Sequence, residues 1–178
     1  MKKALLFLLA ASVLVVWHMS SDADLDPALL LRAEQAWLAQ REGITNKRYL
    51  TIVTYRKSLL QTRLYVVDRT SRKVVLASRV SHALNSGLLY ANSFSNEDGS
   101  RKSCIGSFIT QDIYRGKFGF SLRVRGVSPE NDNALARYVI FHTDPGYRLS
   151  AGCWMTDAAT NRRLINLIKG GSLVLVSR

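Results

Sequence analysis

The stretch from Tyr138 to Asp157 reads YVIFHTDPGYRLSAGCWMTD, and both the fold and the chemistry of the chain depend on it. Its apolar start is typical of a strand and ends at His142, after which Asp144-Pro145-Gly146 indicates a turn. The chain then reaches a Ser-Ala-Gly-Cys tetrapeptide that ends at Cys153. A short polar loop therefore joins an imidazole to a thiol. Because such a loop can fold back, the sequence predicts that the two groups share one site.

The chemistry that fits this pair is acyl transfer. A cysteine is nucleophilic as its thiolate, and a neighbouring imidazole can withdraw the thiol proton and later return it. Gly152 would let the backbone approach a bound carbonyl closely. The alternative is that Cys153 is a small buried hydrophobe and His142 an ordinary residue at a strand end. An isolated Cys and His pair favours this alternative, so the functional interpretation needs support from the rest of the chain.

The composition is that of a basic globular domain. With 178 residues, 47% of them hydrophobic, the chain fits a single domain with a real core. Its net charge of +12 comes from residues spread along the sequence, which favours an anionic partner such as nucleic acid, acidic lipid or a cell-wall polymer. We expect no nucleic-acid partner, because an arginine-rich block, an RNA-binding aromatic motif and zinc-finger spacing are all missing. A solvated basic face is the alternative.

The first residues have the layout of a bacterial-type secretory signal peptide. Lys2 and Lys3 precede an apolar run over residues 4–17, and Ser21-Asp22-Ala23 resembles a cleavage site. The run is shorter than the roughly 20 residues of a membrane-spanning helix, so retention as an anchor is the weaker alternative. We therefore predict a signal peptide over residues 1–23 and a protein exported to the periplasm or cell envelope. It would touch the membrane only through this segment, if the segment is not cleaved.

Two cysteines, Cys104 and Cys153, lie beyond the leader. In an exporting compartment an even count is compatible with a disulfide, which would silence a thiol nucleophile, so the bridge remains an alternative to catalysis. His82 and His142 are the only histidines after the leader, and the paired ligand spacing of a zinc site is missing. A structural zinc site is therefore possible but unsupported by the sequence.

The remaining pattern predicts a mainly β fold with peripheral helices. Asp26 and Pro27 begin an amphipathic helix that runs toward Gly43, so residues 24–48 form an N-terminal helix and lead-in before a domain over 49–178. A second helix is capped by Thr156 or Asp157 and ends at Gly170. Strands are predicted over 49–56, 63–68, 73–81, 105–110, 119–126, 138–142 and 173–176. The aperiodic loop over 82–103 is long enough to indicate a functional role.

Six segments of the chain occur in an order that resembles one known family. They are VSHALNSG (80–87), FSNEDGSRKSCIG (94–106), YRGKFGFSLRVRGV (114–127), NDNALARYVIFH (131–142), SAGC (150–153) and IKGGSL (168–173). Together they resemble the murein L,D-transpeptidase catalytic domain. The resemblance runs from about residue 49 to the C-terminus and implies a YkuD-like β-sandwich or barrel-like catalytic domain over 49–178. Six ordered segments are more specific than any one motif, and they favour a catalytic Cys153.

The resemblance implies a role for each matching position. Cys153 matches the family nucleophile, and His142 matches the imidazole that activates it. Ser150 and Gly152 match the residues that shape the loop before the thiol, where the backbone N–H groups of Gly152 and Cys153 are natural oxyanion donors. His82 matches a second strand-end histidine that faces the cleft, with a purely structural histidine as the alternative. The matching polar positions of the substrate-side loop are Ser95, Asn96 and Ser100.

The activity implied is acyl exchange on peptidoglycan stem peptides without metal or cofactor. Cys153 would attack the carbonyl of the third, diamino acid residue and release the terminal D-alanine, leaving a thioester for an amine or water to resolve. The sequence departs from the family pattern at Thr143-Asp144, Ala151 and Trp154, and the connection from His142 to Cys153 is short. These departures leave two alternatives: a catalytically silent wall-binding or regulatory domain, and a hydrolase that cleaves wall-linked peptides.

Overall fold

The structure is a computed structural model that describes residues 25–178, so the predicted signal peptide lies outside the described residues. The first helix, α1 (Pro27–Ala39), begins where Asp26 Oδ1 accepts the N–H of Ala28 at 2.9 Å, with Pro27 in the first turn. A short 3-10 helix, Arg41–Gly43, follows it. Between residues 25 and 178 no helix is long and apolar enough to cross a membrane.

One eight-stranded sheet forms the body of the domain. Its strands are β1 (Tyr49–Thr54), β2 (Leu64–Asp68), β3 (Lys73–Ser78), β4 (Gly106–Gly116), β5 (Gly119–Gly126), β6 (Ile140–Thr143), β7 (Trp154–Thr156) and β8 (Leu173–Ser177). Their order is β3-β2-β1-β8-β4-β5-β6-β7. The chain after β3 then runs along β7, because Ser81 N–H donates to Met155 O at 3.0 Å and Met155 N–H donates to Ser81 Oγ at 2.8 Å. The sheet is therefore nearly closed into a barrel.

Two apolar clusters lie on opposite faces of the central strands. Leu29, Leu30 and Ala33 of α1 cover one face, and the second helix, α2 (Ala158–Ile168), contributes Leu164 and Ile165 to the other. Alternating side chains of a strand point to opposite faces, so a strand that is covered on both sides reads as a continuous apolar run. This explains why β1, β2 and β8 are buried almost throughout.

Trp154 fixes the start of β7 in the core. Its ring stacks on Phe141 of β6 at a centroid distance of 4.7 Å and meets Phe108 edge-on at 5.0 Å. The indole N–H donates to the hydroxyl of Tyr55 at 3.0 Å, so the buried polar atom is satisfied. Because Trp154 is anchored in this way, the backbone of the preceding residue, Cys153, is held at a defined place beside β6.

The mainly β architecture predicted from the sequence is confirmed, while several element boundaries differ. Strand β4 continues to Gly116 because it pairs with β5 as a two-stranded ribbon beyond the core. Strand β6 begins at Ile140 rather than at Tyr138, whose φ of 54° is not that of a strand. Strand β7 was not predicted. Its three residues are too few for a recognisable alternation.

Candidate active site

The parallel pairing of β6 with β7 determines which side chains share a face of the sheet. Phe141 pairs with Trp154 and His142 pairs with Met155. Because Phe141 and Trp154 point into the core, His142 and Met155 point to the opposite, outer face. Cys153 precedes Met155 by two positions and therefore lies on the same face as His142. The fold thus brings the predicted thiol and imidazole to neighbouring positions.

The loop that connects β6 to β7 is organised by its own hydrogen bonds. Asp144 Oδ1 accepts the N–H groups of Gly146, Tyr147 and Arg148 at 2.8, 2.9 and 3.3 Å. A carboxylate that holds three successive amides makes a tight turn without secondary structure. The short connection from His142 to Cys153 is consequently a compact turn.

Ser150 and Gly152 shape the backbone just before the thiol. The Ser150 hydroxyl donates to Cys153 O at 2.7 Å and accepts the Gly152 N–H at 3.1 Å. Gly152 is buried and has a φ of 147°, a conformation that favours glycine. Since the Gly152 amide is already bonded to Ser150 Oγ, the amide of Cys153 is the better candidate for an oxyanion donor.

The thiol of Cys153 is protonated at neutral pH. Cys153 is half-buried, and burial raises the pKa of its thiol, opposed by a hydrogen bond from the Ile140 backbone and by the charge of Arg137. The S–H group donates to the carbonyl oxygen of Tyr138 at 3.5 Å. A thiol in this state requires a base to become nucleophilic.

The His142 side chain is a neutral imidazole, the form that can act as a base. It is buried, and its Nδ1 lies 2.8 Å from the carbonyl oxygen of Thr143. Because a carbonyl only accepts, this contact assigns the ring proton to Nδ1 and leaves a lone pair on Nε2. Burial lowers the pKa of the ring, which keeps it neutral. The ring of Phe118 stacks on the imidazole at a centroid distance of 4.3 Å and restricts its orientation.

The thiol and the imidazole are not yet hydrogen-bonded to each other. Among the hydrogen bonds of residues 25–178, Cys153 Sγ bonds to Tyr138 and His142 Nδ1 to Thr143, and none joins the two side chains. Proton transfer between the two groups would first require the thiol to leave the Tyr138 carbonyl. Catalytic hydrogen bonds of this kind often tighten only when substrate is bound.

His82 is placed in the interior, with both ring nitrogens occupied. It is fully buried, and the fully buried Arg63 donates from Nη2 to His82 Nδ1 at 2.9 Å. His82 Nε2 in turn donates to Gly87 O at 2.9 Å. Arg63 also donates to Val80 O, so this pair holds the segment 80–87 against the barrel. A direct contact between His82 and a ligand would require these bonds to open.

The three polar residues predicted for the substrate-side loop form hydrogen bonds mainly to other residues of this loop and to the segment that packs against it. Ser95 Oγ accepts the Glu97 N–H at 3.1 Å, and the Ser100 hydroxyl donates to Glu97 O at 2.7 Å. Asn96 Nδ2 donates to Asp132 Oδ1 at 2.6 Å and so joins the loop to the next segment of the chain. None of the three lines the groove beside Cys153 described below. Their role in substrate binding stays a prediction.

Both cysteines are free thiols, so the disulfide considered as an alternative is not formed. Cys104 is buried, and burial raises the pKa of its thiol to about 11. It is consequently unreactive at neutral pH. Cys153 remains available for chemistry.

Arg137 belongs to the site, although the sequence pattern did not single it out. Its guanidinium donates to Ser95 O at 2.7 Å, to Lys102 O at 2.8 Å and to Ser100 Oγ at 3.3 Å. It lies against Gly152, where an added Cβ would be 3.7 Å from Nη2. All three acceptors are neutral, and no carboxylate pairs with Arg137 in the part of the chain that the structure describes. Its charge is therefore available to stabilise a thiolate at Cys153.

Replacing Arg137 by glutamine is expected to shift the alkylation of Cys153 by iodoacetamide to higher pH. The positive charge favours the thiolate, so its removal slows the reaction at pH 7 to 8 and leaves the limiting rate at high pH unchanged. Mass spectrometry of the Cys153 peptide measures the rate, and Arg115→Gln is the control for a lost surface charge. Identical pH profiles for the two variants would contradict a role for Arg137.

The two buried histidines predict that stability falls below neutral pH. Burial lowers the pKa of His82 and that of His142 in the native state. In the unfolded chain a histidine has a pKa of about 6.5, so below this pH the unfolded state binds more protons than the native state. The free energy of unfolding should decline as the pH falls through 6.5 and continue to decline until the lowered pKa values are passed. Asp68 and Asp157, whose pKa values are also lowered, add their loss only below about pH 4.

Urea denaturation at pH 7.5, 6.5 and 5.5 tests this prediction. A His82→Gln variant should be less stable at pH 7.5 and should show a smaller difference between pH 7.5 and pH 5.5, because one of the two titrating groups is gone. A wild-type free energy of unfolding that is flat across this range would show that the histidines do not control it.

Two cavities adjoin the outer face of β6 and β7. The first, of about 690 Å³, is lined by Cys153 together with apolar and aromatic residues that include Tyr114, Phe118, Tyr138 and Ile140. This volume is within the usual range for ligand pockets. The second, of about 410 Å³, is lined by Met155, the residue paired with His142, and by Arg79, Asp144 and Arg148. In residues 25–178 no cluster of three or more histidine, cysteine or acidic side chains could hold a metal ion.

The fold is thus a nearly closed, mainly β sheet that places a thiol and an imidazole on one face, with a groove beside the thiol. A family model described as "L,D-transpeptidase catalytic domain" matches residues 21–176. The chain therefore belongs to the L,D-transpeptidase catalytic domain family. The resemblance inferred from the six ordered segments is thereby confirmed.

Several solved structures are similar to this chain at low sequence identity. The helical cell shape determining protein Pgp2 of Campylobacter jejuni is 12% identical, with a TM-score of 0.51, and the match covers 79% of this chain and 52% of that one. L,D-transpeptidase 1 of Mycobacterium tuberculosis is 14% identical, with a TM-score of 0.43 and coverages of 72% and 60%. Bd1075 of Bdellovibrio bacteriovorus is 14% identical, with a TM-score of 0.47 and coverages of 75% and 48%.

This chain thus spans between about half and three fifths of the length of these solved proteins. A search among curated proteins finds no match to it.

Proposed function

We propose that the protein is an exported, cysteine-dependent acyltransferase that acts on peptidoglycan stem peptides. The observation that carries the proposal is the face shared by Cys153 and His142, with a lone pair free on His142 Nε2 and a groove beside the thiol. Membership of the L,D-transpeptidase family supports the substrate class. Export is supported by the signal-peptide layout of residues 1–23.

The proposed reaction begins with proton transfer from Cys153 to His142 Nε2. The thiolate attacks the carbonyl of the third, diamino acid residue of a stem peptide, and the Cys153 amide binds the resulting oxyanion. The tetrahedral intermediate collapses, the bond to the terminal D-alanine breaks, and the imidazolium returns its proton to the departing amine. A thioester on Cys153 remains.

An amine or a water molecule then resolves the thioester. His142 accepts a proton from the attacking group, and Cys153 leaves as the thiolate and is reprotonated. An amine from a second stem gives a cross-link, whereas water gives a trimmed peptide. We assign the acceptor stem to the second cavity, whose lining includes Met155, the residue paired with His142.

The experiment is incubation of the protein, without residues 1–23, with muropeptides that carry tetrapeptide stems. Mass spectrometry should detect cross-linked dimers when an acceptor stem is present, trimmed tripeptides when it is not, and an acyl adduct on the Cys153 peptide. Trimmed product alone, with acceptor in excess, would assign a hydrolase. A folded protein that gives no product and no adduct would overturn the proposal.

The competing function is a silent wall-binding domain that has kept the fold. Titration of the native protein with a thiol reagent separates it from an enzyme, because an enzyme requires one reactive thiol at Cys153. A native protein that is inert to the reagent but retained by isolated peptidoglycan would favour the silent domain.

A further inference from the structure

The groove beside Cys153 carries positive charge without negative charge. Lys117, in the turn between β4 and β5, and Arg123, in β5, both line it. The other lining residues are apolar, aromatic or the thiol itself, and none is acidic. Apolar walls reduce the screening of a charge by water, so an anion within this groove would be attracted more strongly than one at the open surface.

Both cations are exposed side chains that lie over aromatic rings. The guanidinium carbon of Arg123 lies 4.1 Å from the ring centroid of Tyr114, and Lys117 Nζ lies 5.5 Å from that of Phe118. Phe118 is also the ring that stacks on His142. One hairpin therefore positions the two cations and the candidate base with respect to each other.

Neither cation has an acidic partner within residues 25–178. The ion pairs of this region join Arg48 to Asp68, Arg56 to Asp26 and Arg69 to Glu34, all of them away from the groove. A guanidinium that stacks through its face keeps its N–H edge free, and that edge matches the two oxygens of a carboxylate. Within the described residues, both cations therefore remain able to pair with a carboxylate of a ligand.

We infer that Lys117 and Arg123 bind a carboxylate of the acyl donor. The inference rests on the proposed function and adds a selection rule to it: the donor is recognised through a negative charge close to the scissile bond. Two carboxylates of a stem tetrapeptide have this chemistry. One is the terminal carboxylate of the D-alanine that leaves, and the other is a side-chain carboxylate on the diamino acid.

The test measures binding rather than turnover. Cys153→Ala protein is titrated with three synthetic stem tetrapeptides: the unmodified peptide, its C-terminal amide, and a peptide amidated at the side-chain carboxylate of the third residue. The same titrations are made with Lys117→Gln and Arg123→Gln added, alone and together. Arg115→Gln is the matched control, because Arg115 stands in the same hairpin over Phe120 but does not line the groove.

We expect the Arg123→Gln change to weaken binding of the unmodified peptide by about tenfold to a hundredfold, the range for a hydrogen bond between charged groups. The change should have little effect on the binding of the amidated peptide that lacks the recognised carboxylate. The peptide whose binding is insensitive to the change therefore identifies which of the two carboxylates is bound. Arg115→Gln should bind like its parent.

The inference is overturned if the double variant binds the unmodified peptide as tightly as the Arg115→Gln control, if its loss is equal for all three peptides, or if no peptide binds saturably to the parent. The proposed function fails separately, when wild-type protein forms no acyl adduct. A peptide that binds through its carboxylate without being turned over would leave the groove assigned and the enzyme rejected.

Discussion

Replacing Cys153 by serine is expected to abolish both the acyl adduct and all product. A serine hydroxyl is far less acidic than a thiol, and the neutral imidazole of His142 is oriented through Nδ1 by the Thr143 carbonyl rather than by a carboxylate. The loss should be on the order of 10³-fold or more, as for other enzymes that lose their nucleophile. Rates are measured from product formation with tetrapeptide-stem muropeptides.

The variant should remain folded, because Cys153 is only half-buried and serine occupies less space. Thermal unfolding curves that superpose on those of the wild type would establish this. Cys104→Ala is the control: it removes the other, buried thiol and should cost stability without removing product. A Cys153→Ser protein that keeps a tenth of the activity would place the nucleophile elsewhere.

The proximity of Cys153 and His142 could be predicted from sequence only in part. The short, turn-rich loop between them indicated that the two side chains share a site. The six ordered segments indicated that this site is catalytic. The register of β6 against β7 was not visible, although it decides that the two side chains share a face. Strand β7 has only three residues, and the first of them, Trp154, is a core residue. Three residues are too few to show the alternation that predicts a strand.

The environment of His82 could not be read from the sequence, because its partners come from elsewhere in the chain. Arg63 lies just before β2, and nothing in its local pattern marks a fully buried arginine whose pKa is lowered to about 10 by burial. Such a group is tolerated only because Val80, Lys57 and His82 accept its hydrogen bonds and Tyr55 lies under it. Arg137 was missed for a related reason: its acceptors lie 35 to 42 positions away.

The hairpin of β4 and β5 shows the opposite case, in which local pattern predicts structure but not use. The sequence predicted a strand over 119–126, and the structure confirms these bounds. That Phe118 reaches the imidazole of His142 follows only from the pairing of β5 with β6. The contact of the hairpin with the candidate base therefore depends on tertiary pairing that the local sequence does not show.

Replacing His142 by glutamine should lower the rate of acyl transfer by about 10²- to 10⁴-fold, the usual contribution of general acid–base catalysis. Because burial raises the pKa of the Cys153 thiol, few molecules carry the thiolate at pH 7 without the base. The rate of adduct formation in the variant should climb with pH as hydroxide replaces the imidazole. Wild-type protein should instead reach its plateau near neutral pH, because the lowered pKa of His142 keeps the ring unprotonated there.

The control is His82→Gln, which removes a buried imidazole whose two ring nitrogens are bonded to Arg63 and to Gly87 O. It should reduce stability and leave the pH profile of adduct formation unchanged at a temperature where it is folded. If His142→Gln protein fails to recover at high pH while its thiol is alkylated normally, His142 does more than remove a proton. Its second task would then be protonation of the departing amine, because thiolate formation alone would no longer limit the reaction.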